Sequence, residues 1–204
     1  MPLFPSRLIL LILLALLGAC STTRVQESWR LPDYRPPQPQ KILVVALTAR
    51  EATRKTVETA YANALEQKGY LAIPSMNWIA DGTKLNREAL EPLVKQNGIT
   101  TVLVTSVRDV QQSKVYQPAT SSLGDNGLFR NIDTYYAYSS DGQHEGGIYT
   151  QLTDYLIETN LFSVASRKLS WSVITRTSDT GHLKKKVNEV VKAVLAQAEK
   201  DHAL

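Results

Sequence analysis

K-I-L-V-V-A-L-T-A-R-E, residues 41–51, decides how this chain folds. A strand with one wet face alternates apolar and polar residues. The unbroken run Ile42 to Leu47 instead marks a central strand covered on both faces. Thr48 followed three residues later by Glu51 has the form of a capping box, in which a hydroxyl and a carboxylate each take an orphan N–H of a first helical turn. Val57, Ala60, Tyr61, Ala64 and Leu65 then recur at helical spacing, and Gly69 stops the helix. Tyr70 to Ile73 reads as a second strand, which completes a βαβ unit and makes the early sheet parallel.

Further along, Asn86 is a candidate N-cap, with Leu85 before it and Leu90 inside able to form a hydrophobic staple. Pro92 should bend or shorten that helix. Asn97-Gly98 ends it, and Ile99 to Val107 is a third strand rich in Thr and Val. Ile148 to Val164 and Leu169 to Thr177, joined at Ala165-Ser166-Arg167-Lys168, have the form of a long hairpin. Leu183, Val187, Val190, Val191, Val194, Leu195 and Ala198 share one face of a last helix. The fold class expected is α/β with α+β character late: β-α-β-α-β-β-β-α, parallel pairing first and an antiparallel hairpin last, in a single domain over 41–204.

Residues 21–40 precede that domain and place four prolines within eight positions, which predicts an extended tether without a core of its own. Trp29 and Tyr34 are its aromatic exceptions, suited to clipping the tether onto the domain. Ahead of it, residues 1–19 have the three parts of an export signal. Arg7 is the only charged side chain, Leu8 to Leu17 is apolar, and Gly18 and Ala19 are small. Ten apolar residues span about 15 Å as a helix, against a hydrocarbon core of about 30 Å, so the segment is a leader and not a membrane span.

Leu17-Gly18-Ala19-Cys20 resembles the lipobox of bacterial lipoproteins, and Cys20 is the only cysteine in the chain. The resemblance implies cleavage between Ala19 and Cys20, lipid on the Cys20 sulfur, and acylation of the new amino terminus. Two or three acyl chains, at roughly 0.8 kcal/mol per buried methylene, hold a protein on a bilayer almost permanently. Ser21, where an aspartate would favour inner-membrane retention in enteric bacteria, implies the periplasmic face of the outer membrane. With the one thiol consumed no disulfide forms, and the core alone must hold the fold.

Losing Arg7 with the leader leaves 22 basic against 19 acidic side chains, too mild a balance to argue for nucleic acid. Catalytic signatures are absent. The sequence contains neither a G-x-S-x-G elbow nor an S-x-x-K pair. Asp179-Thr180-Gly181 matches the aspartic-protease triplet, but that chemistry needs two carboxylates sharing a proton, so helix N-capping by Asp179 is the expected role. His144, His182 and His202 lack ligand spacing, and His144-Glu145 lacks the second histidine of H-E-x-x-H. Thr48-Ala49-Arg50-Glu51 stands where a glycine-rich phosphate loop would lie, which leaves the strand-end cleft for another kind of ligand. No metal and no cofactor is expected beyond covalent lipid on Cys20.

Two segments suit contact with a partner. Gln117 to Gly147 is a loop of about 30 residues with five glycines, and loops that long are usually functional or disordered. Six of the nine tyrosines fall in or beside it, and Tyr135, Tyr136 and Tyr138 are its preferred contact patch. Lys184, Lys185 and Lys186 stand near the start of the last helix, at the wrong end of its dipole, and suit anionic cell-wall carboxylates or an acidic partner, the alternative being a solvated basic face.

Ser28-Trp29 with Pro32 and Tyr34, Lys41 to Val45, Glu51 with Arg54, Glu158-Thr159-Asn160-Leu161-Phe162 and Lys168-Leu169-Ser170-Trp171 together resemble a group of uncharacterised proteobacterial lipoproteins. The element order is similar to periplasmic α/β domains of the TolB N-terminal type and of lipoprotein activators of peptidoglycan synthases. That resemblance implies a non-catalytic accessory module working by contact with envelope proteins. The alternative that the residues leave open is a carrier or sensor of a small lipid or cell-wall ligand, which requires an apolar pocket between sheet and helices.

Overall fold

The computed structural model describes residues 22–80, 82–83, 85–118, 147–179 and 181–204. These form β1 (Thr23–Arg30), β2 (Lys41–Leu47), α1 (Glu51–Gln67), β3 (Leu71–Pro74), a 3-10 turn (Ser75–Asn77), α2 (Arg87–Gln96), β4 (Thr101–Pro118), β5 (Gly147–Ser163), β6 (Leu169–Ser178) and α3 (Leu183–Lys200). One six-stranded sheet has the order β1-β6-β5-β4-β2-β3. β2 runs parallel to β3 and β4, while β6 runs antiparallel to β1 and β5. Thr105 meets Thr159, and the Val164 N–H reaches the Thr100 carbonyl; partners that fall in number as β4 rises make β4 and β5 antiparallel. The mixed α/β architecture is the one expected from the sequence.

The chain divides into two units. The first takes the residues up to Val110 with Asp154–Leu204, and the second is Gln111–Thr153. In the second, the outer parts of β4 and β5 run as strands, with Gln151 Nε2 donating to Gln112 Oε1 at 2.9 Å. The loop residues Tyr135, Tyr136 and Tyr138, and His144, lie outside the described residues, as do Ala19 and Cys20.

In the first unit the apolar run is buried on both faces. Ile42 and Val44 pack with Tyr61 and Leu65 of α1, Val187, Val191, Val194 and Leu195 of α3, and Trp171 of β6. Leu43 and Val45 point the other way, toward Ile99 and the Leu90 and Val94 side of α2. Leu85 and Leu90 join this second cluster, and Asn86 Oδ1 accepts from the Ala89 N–H at 3.0 Å, so the cap forms as the sequence predicts. α2 carries Pro92 inside it and spans 10 residues. α1 and α2 end in the same way: the N–H of Tyr70 reaches Leu65 O and that of Ile99 reaches Val94 O, each across a glycine (Gly69, Gly98) at positive φ.

Three sequence expectations fail locally. Residues 23–30 are a strand, not a tether. The prolines all lie beyond Arg30, so T-R-V-Q-E-S-W-R is free to pair with β6 along the open edge of the sheet, with a bulge between Val25 and Glu27. Tyr34 is buried beneath Arg30 and fastens the segment that follows, whereas Trp29 stays exposed. The capping box at Thr48 does not close: Arg50 is the N-cap of α1, without a side-chain cap, and Thr48 Oγ1 accepts from the Arg50 N–H at 3.4 Å. Asp179 does not cap α3 either; its Oδ1 accepts from the Gly181 N–H at 2.7 Å, shaping a turn before a helix whose N-cap is His182.

Candidate functional site

The path of the chain opens a crevice. From β2 it passes through α1 on one face to β3, then returns through α2 on the opposite face to β4, on β2's other side. β2 and β4 are therefore adjacent parallel strands whose following segments leave in different directions, which is where open α/β sheets make room for ligands beyond their carboxyl ends. A cavity of about 430 Å³ lies there, between the ends of β2 and β4, the first turns of α1 and α3, and facing residues of β5 and β6. Its wall includes Ala46, Val57, Tyr61, Ile157, Val187 and Val190. Leu47, Val107 and Leu183, exposed by 45%, 52% and 51%, surround it. Apolar side chains that long, left about half in water on one rim, mark a surface prepared to cover something.

The polar side chains of the wall are largely engaged with protein. The Tyr61 hydroxyl meets Thr159 Oγ1 at 3.2 Å, which meets Thr105 Oγ1 at 3.0 Å. Burial pushes the Tyr61 phenol up to about 12, against the opposing pull of the Thr159 and Thr105 hydroxyls. Thr177 accepts from Thr23 Oγ1 at 2.8 Å, and Ser178 donates to Asp154 at 2.6 Å. The interior thus favours the apolar part of a ligand, with Arg50 at the rim for a charged or polar end.

A buried ionic knot holds the β2 side of the crevice. β3 stops at Pro74, opposite Val44, so among the described residues no strand is left to receive the Ala46 N–H. Glu58, fully buried on α1, accepts it at 3.0 Å through Oε1. The same oxygen accepts from Arg54 Nε at 3.1 Å and from Ser75 Oγ at 2.7 Å, and Oε2 accepts from the Met76 N–H at 2.9 Å. Arg54 Nη2 adds a bond to Ser75 Oγ at 2.9 Å. This one carboxylate ties helix, strand end and 3-10 turn together.

The three lysines part company. Lys184 and Lys185 are exposed, whereas Lys186 is 8% exposed and lines the crevice. Its ammonium donates to Thr22 Oγ1 and, at 3.1 Å, to Glu189 Oε2. Thr22 Oγ1 donates to the same Glu189 oxygen at 3.1 Å. Burial opposes ionisation of Glu189, but the bonds from Lys186 and Thr22, with the charges of Lys186 and Lys185, bring its pKa below the ordinary value. A single basic face of Lys184, Lys185 and Lys186 is therefore not what the structure presents; Lys186 is a fastening inside the unit.

Among the described residues no three His, Cys, Asp or Glu side chains converge as metal ligands, and no helix is long and apolar enough to cross a membrane. No protein-family description and no curated protein matches the chain. Solved structures do resemble it. A PelC dodecamer from Paraburkholderia phytofirmans aligns at 14% identity over 84% of this chain and 94% of that one, with a TM-score of 0.46. Lipoprotein GNA1162 from Neisseria meningitidis aligns at 17% identity over 79% and 99%, with a TM-score of 0.44. Neither likeness bears on what this chain binds.

The sequence leaves the strand-end cleft open to a ligand but does not disclose its walls. Leu47 and Leu183 were the available signals: apolar residues at the last position of a strand and the first of a helix, where neither neighbours the core.

Proposed function

We propose that this chain is a lipoprotein of the bacterial envelope, held at the periplasmic face of the outer membrane through acylated Cys20, and that its α/β unit works by binding, without a catalytic step, at the crevice between β2, β4, α1 and α3. The observation that carries this reading is the crevice itself: about 430 Å³ of largely apolar space at the strand ends, within the range of small-molecule sites. Its ligand is a carried or sensed molecule with an apolar moiety. Val57→Phe, on the crevice wall, tests it. The variant should fold, with an unchanged or raised Tm, and should lose the species that co-purifies with wild-type protein in native mass spectrometry. Retention of that species in Val57→Phe would place binding elsewhere. For the anchor, labelled palmitate should enter wild type and be lost in Cys20→Ala.

A second use is supported by a separate observation. β4 and β5 continue as strands as far as Pro118 and from Gly147, so the segment holding Tyr135, Tyr136 and Tyr138 is carried on ordered backbone at both ends. Contact of that segment with an envelope protein is the corresponding proposal. Deleting residues 119–146 should leave the first unit folded and abolish partner capture by crosslinking.

A further inference from the structure

The start of the described chain is not loose. Thr22 is bonded to Lys186 and Glu189 of α3, and Thr23 is paired with Thr177 as the first residue of β1. Cys20 is two residues from Thr22, a reach of at most about 7 Å whatever its conformation. A free tether of the twenty residues before β2 would have allowed roughly 70 Å. A lipid on Cys20 therefore brings one particular end of the unit to the membrane and leaves the others away from it.

That end can be read from the pairing. Thr23 faces Thr177, Thr177 faces Tyr155, and Leu47 faces Ser106. Tyr155, Ser106, Leu47 and Thr177 all line the crevice, together with Lys186. The anchored end is thus the crevice end, where β4 and β5 also leave the first unit, and it carries Leu47, Val107 and Leu183 half exposed, with the exposed cations Arg50, Lys184 and Lys185 and the exposed Asp179. Apolar side chains with three exposed cations at the same end match a headgroup layer containing anionic lipid.

Resting on the proposed acylation of Cys20, we infer that this end of the unit is seated on the bilayer, with Leu183, Leu47 and Val107 in the headgroup region and Lys184, Lys185 and Arg50 against anionic phospholipid. The crevice then opens toward lipid, and an occupant reaches it from the membrane.

The test uses full-length lipidated protein in vesicles of phosphatidylethanolamine and phosphatidylglycerol. Cys20 is the only cysteine and is blocked when acylated, so a spin label on Leu183→Cys, Val107→Cys or, at the far end of the sheet, Ser166→Cys is unique. Labels at 183 and 107 should relax more with oxygen than with a water-soluble nickel chelate, and the label at 166 should do the reverse. Lys184→Glu with Lys185→Glu should abolish the oxygen preference at 183. If the protein co-sediments with vesicles while the label at 183 behaves like that at 166, the seating is wrong and the anchor stands. If wild type takes up thiol reagent and fails to co-sediment, the anchor is wrong and the seating falls with it.

Discussion

Removing Glu58 should cost far more than removing an ordinary helix charge. Glu58→Ala leaves the Arg54 guanidinium, itself 5% exposed, without its counter-charge, and leaves the Ala46 and Met76 N–H groups without an acceptor. Breaking a buried pair on one side costs about 3–5 kcal/mol. At about 2–4 °C per kcal/mol for a unit of this size, Tm should fall by roughly 6–20 °C. Glu58→Gln keeps one carbonyl oxygen for Ala46 and Arg54 but turns a donor toward either Met76 or its neighbours, for a loss of about 1–3 kcal/mol. Arg54→Met in the Glu58→Ala background removes the stranded cation and should recover part of the loss. Urea denaturation gives the four free energies, and amide exchange gives the location, with Ala46 and Met76 accelerating first. A loss below about 1 kcal/mol for Glu58→Ala, or no recovery with Arg54→Met, would refute the reasoning.

Other outcomes follow from single sites. Tyr61 should stay protonated through the range in which exposed tyrosines ionise, and an ultraviolet titration should lose its late step, near pH 12, in Tyr61→Phe. Because its folded pKa is raised, the stability linked to neutral Tyr61 is complete below the unfolded value and lost as pH rises through about 12. Asp201 shows the opposite sign. Burial works against its charge, yet bonds from Trp171, Gln197 and Ser28 and the Lys200 charge hold its pKa below the ordinary value. Its contribution is present above the unfolded pKa and lost as pH falls through the folded one, so the denaturation gap between wild type and Asp201→Asn should close in acid. Asn86→Ala should cost about 1 kcal/mol in denaturant unfolding, through loss of the α2 cap alone.

What the sequence disclosed and what it hid follow one physical division. Features fixed by near neighbours were legible. The apolar run of β2, the glycine stops at 69 and 98, the Asn86 cap and the stripe of α3 each state their role within a few residues. Features settled by distant partners were not. β1 is an edge strand interrupted by a bulge, so its alternation is broken where a pattern would reveal it. On α1, the most buried stripe is Arg54, Glu58, Tyr61, Ala62 and Leu65, whose first two members look like a solvent-facing i,i+4 pair until β3 is seen to end at Pro74. Periodicity marks Tyr61 and Leu65 of that stripe and is silent on Ala62 and the two charged members.

The lysine run shows how the same division reaches function. Lys184, Lys185 and Lys186 are chemically alike, and only the 100° step of the helix separates them. Lys186 shares the inward side with Val187 and Val190, so its ammonium cannot reach water freely and must find an anion and an acceptor nearby. Glu189 supplies the first from the next turn, and Thr22 the second from the opposite end of the sequence. Lys184 and Lys185, rotated outward, acquire no such obligation and keep their charge at the surface. One buried cation therefore fastens Thr22 beside the crevice, and two exposed ones are left at the same end. The link from Thr22, next to the proposed anchor, to the crevice is thus made by a residue whose neighbours in sequence give no sign of it.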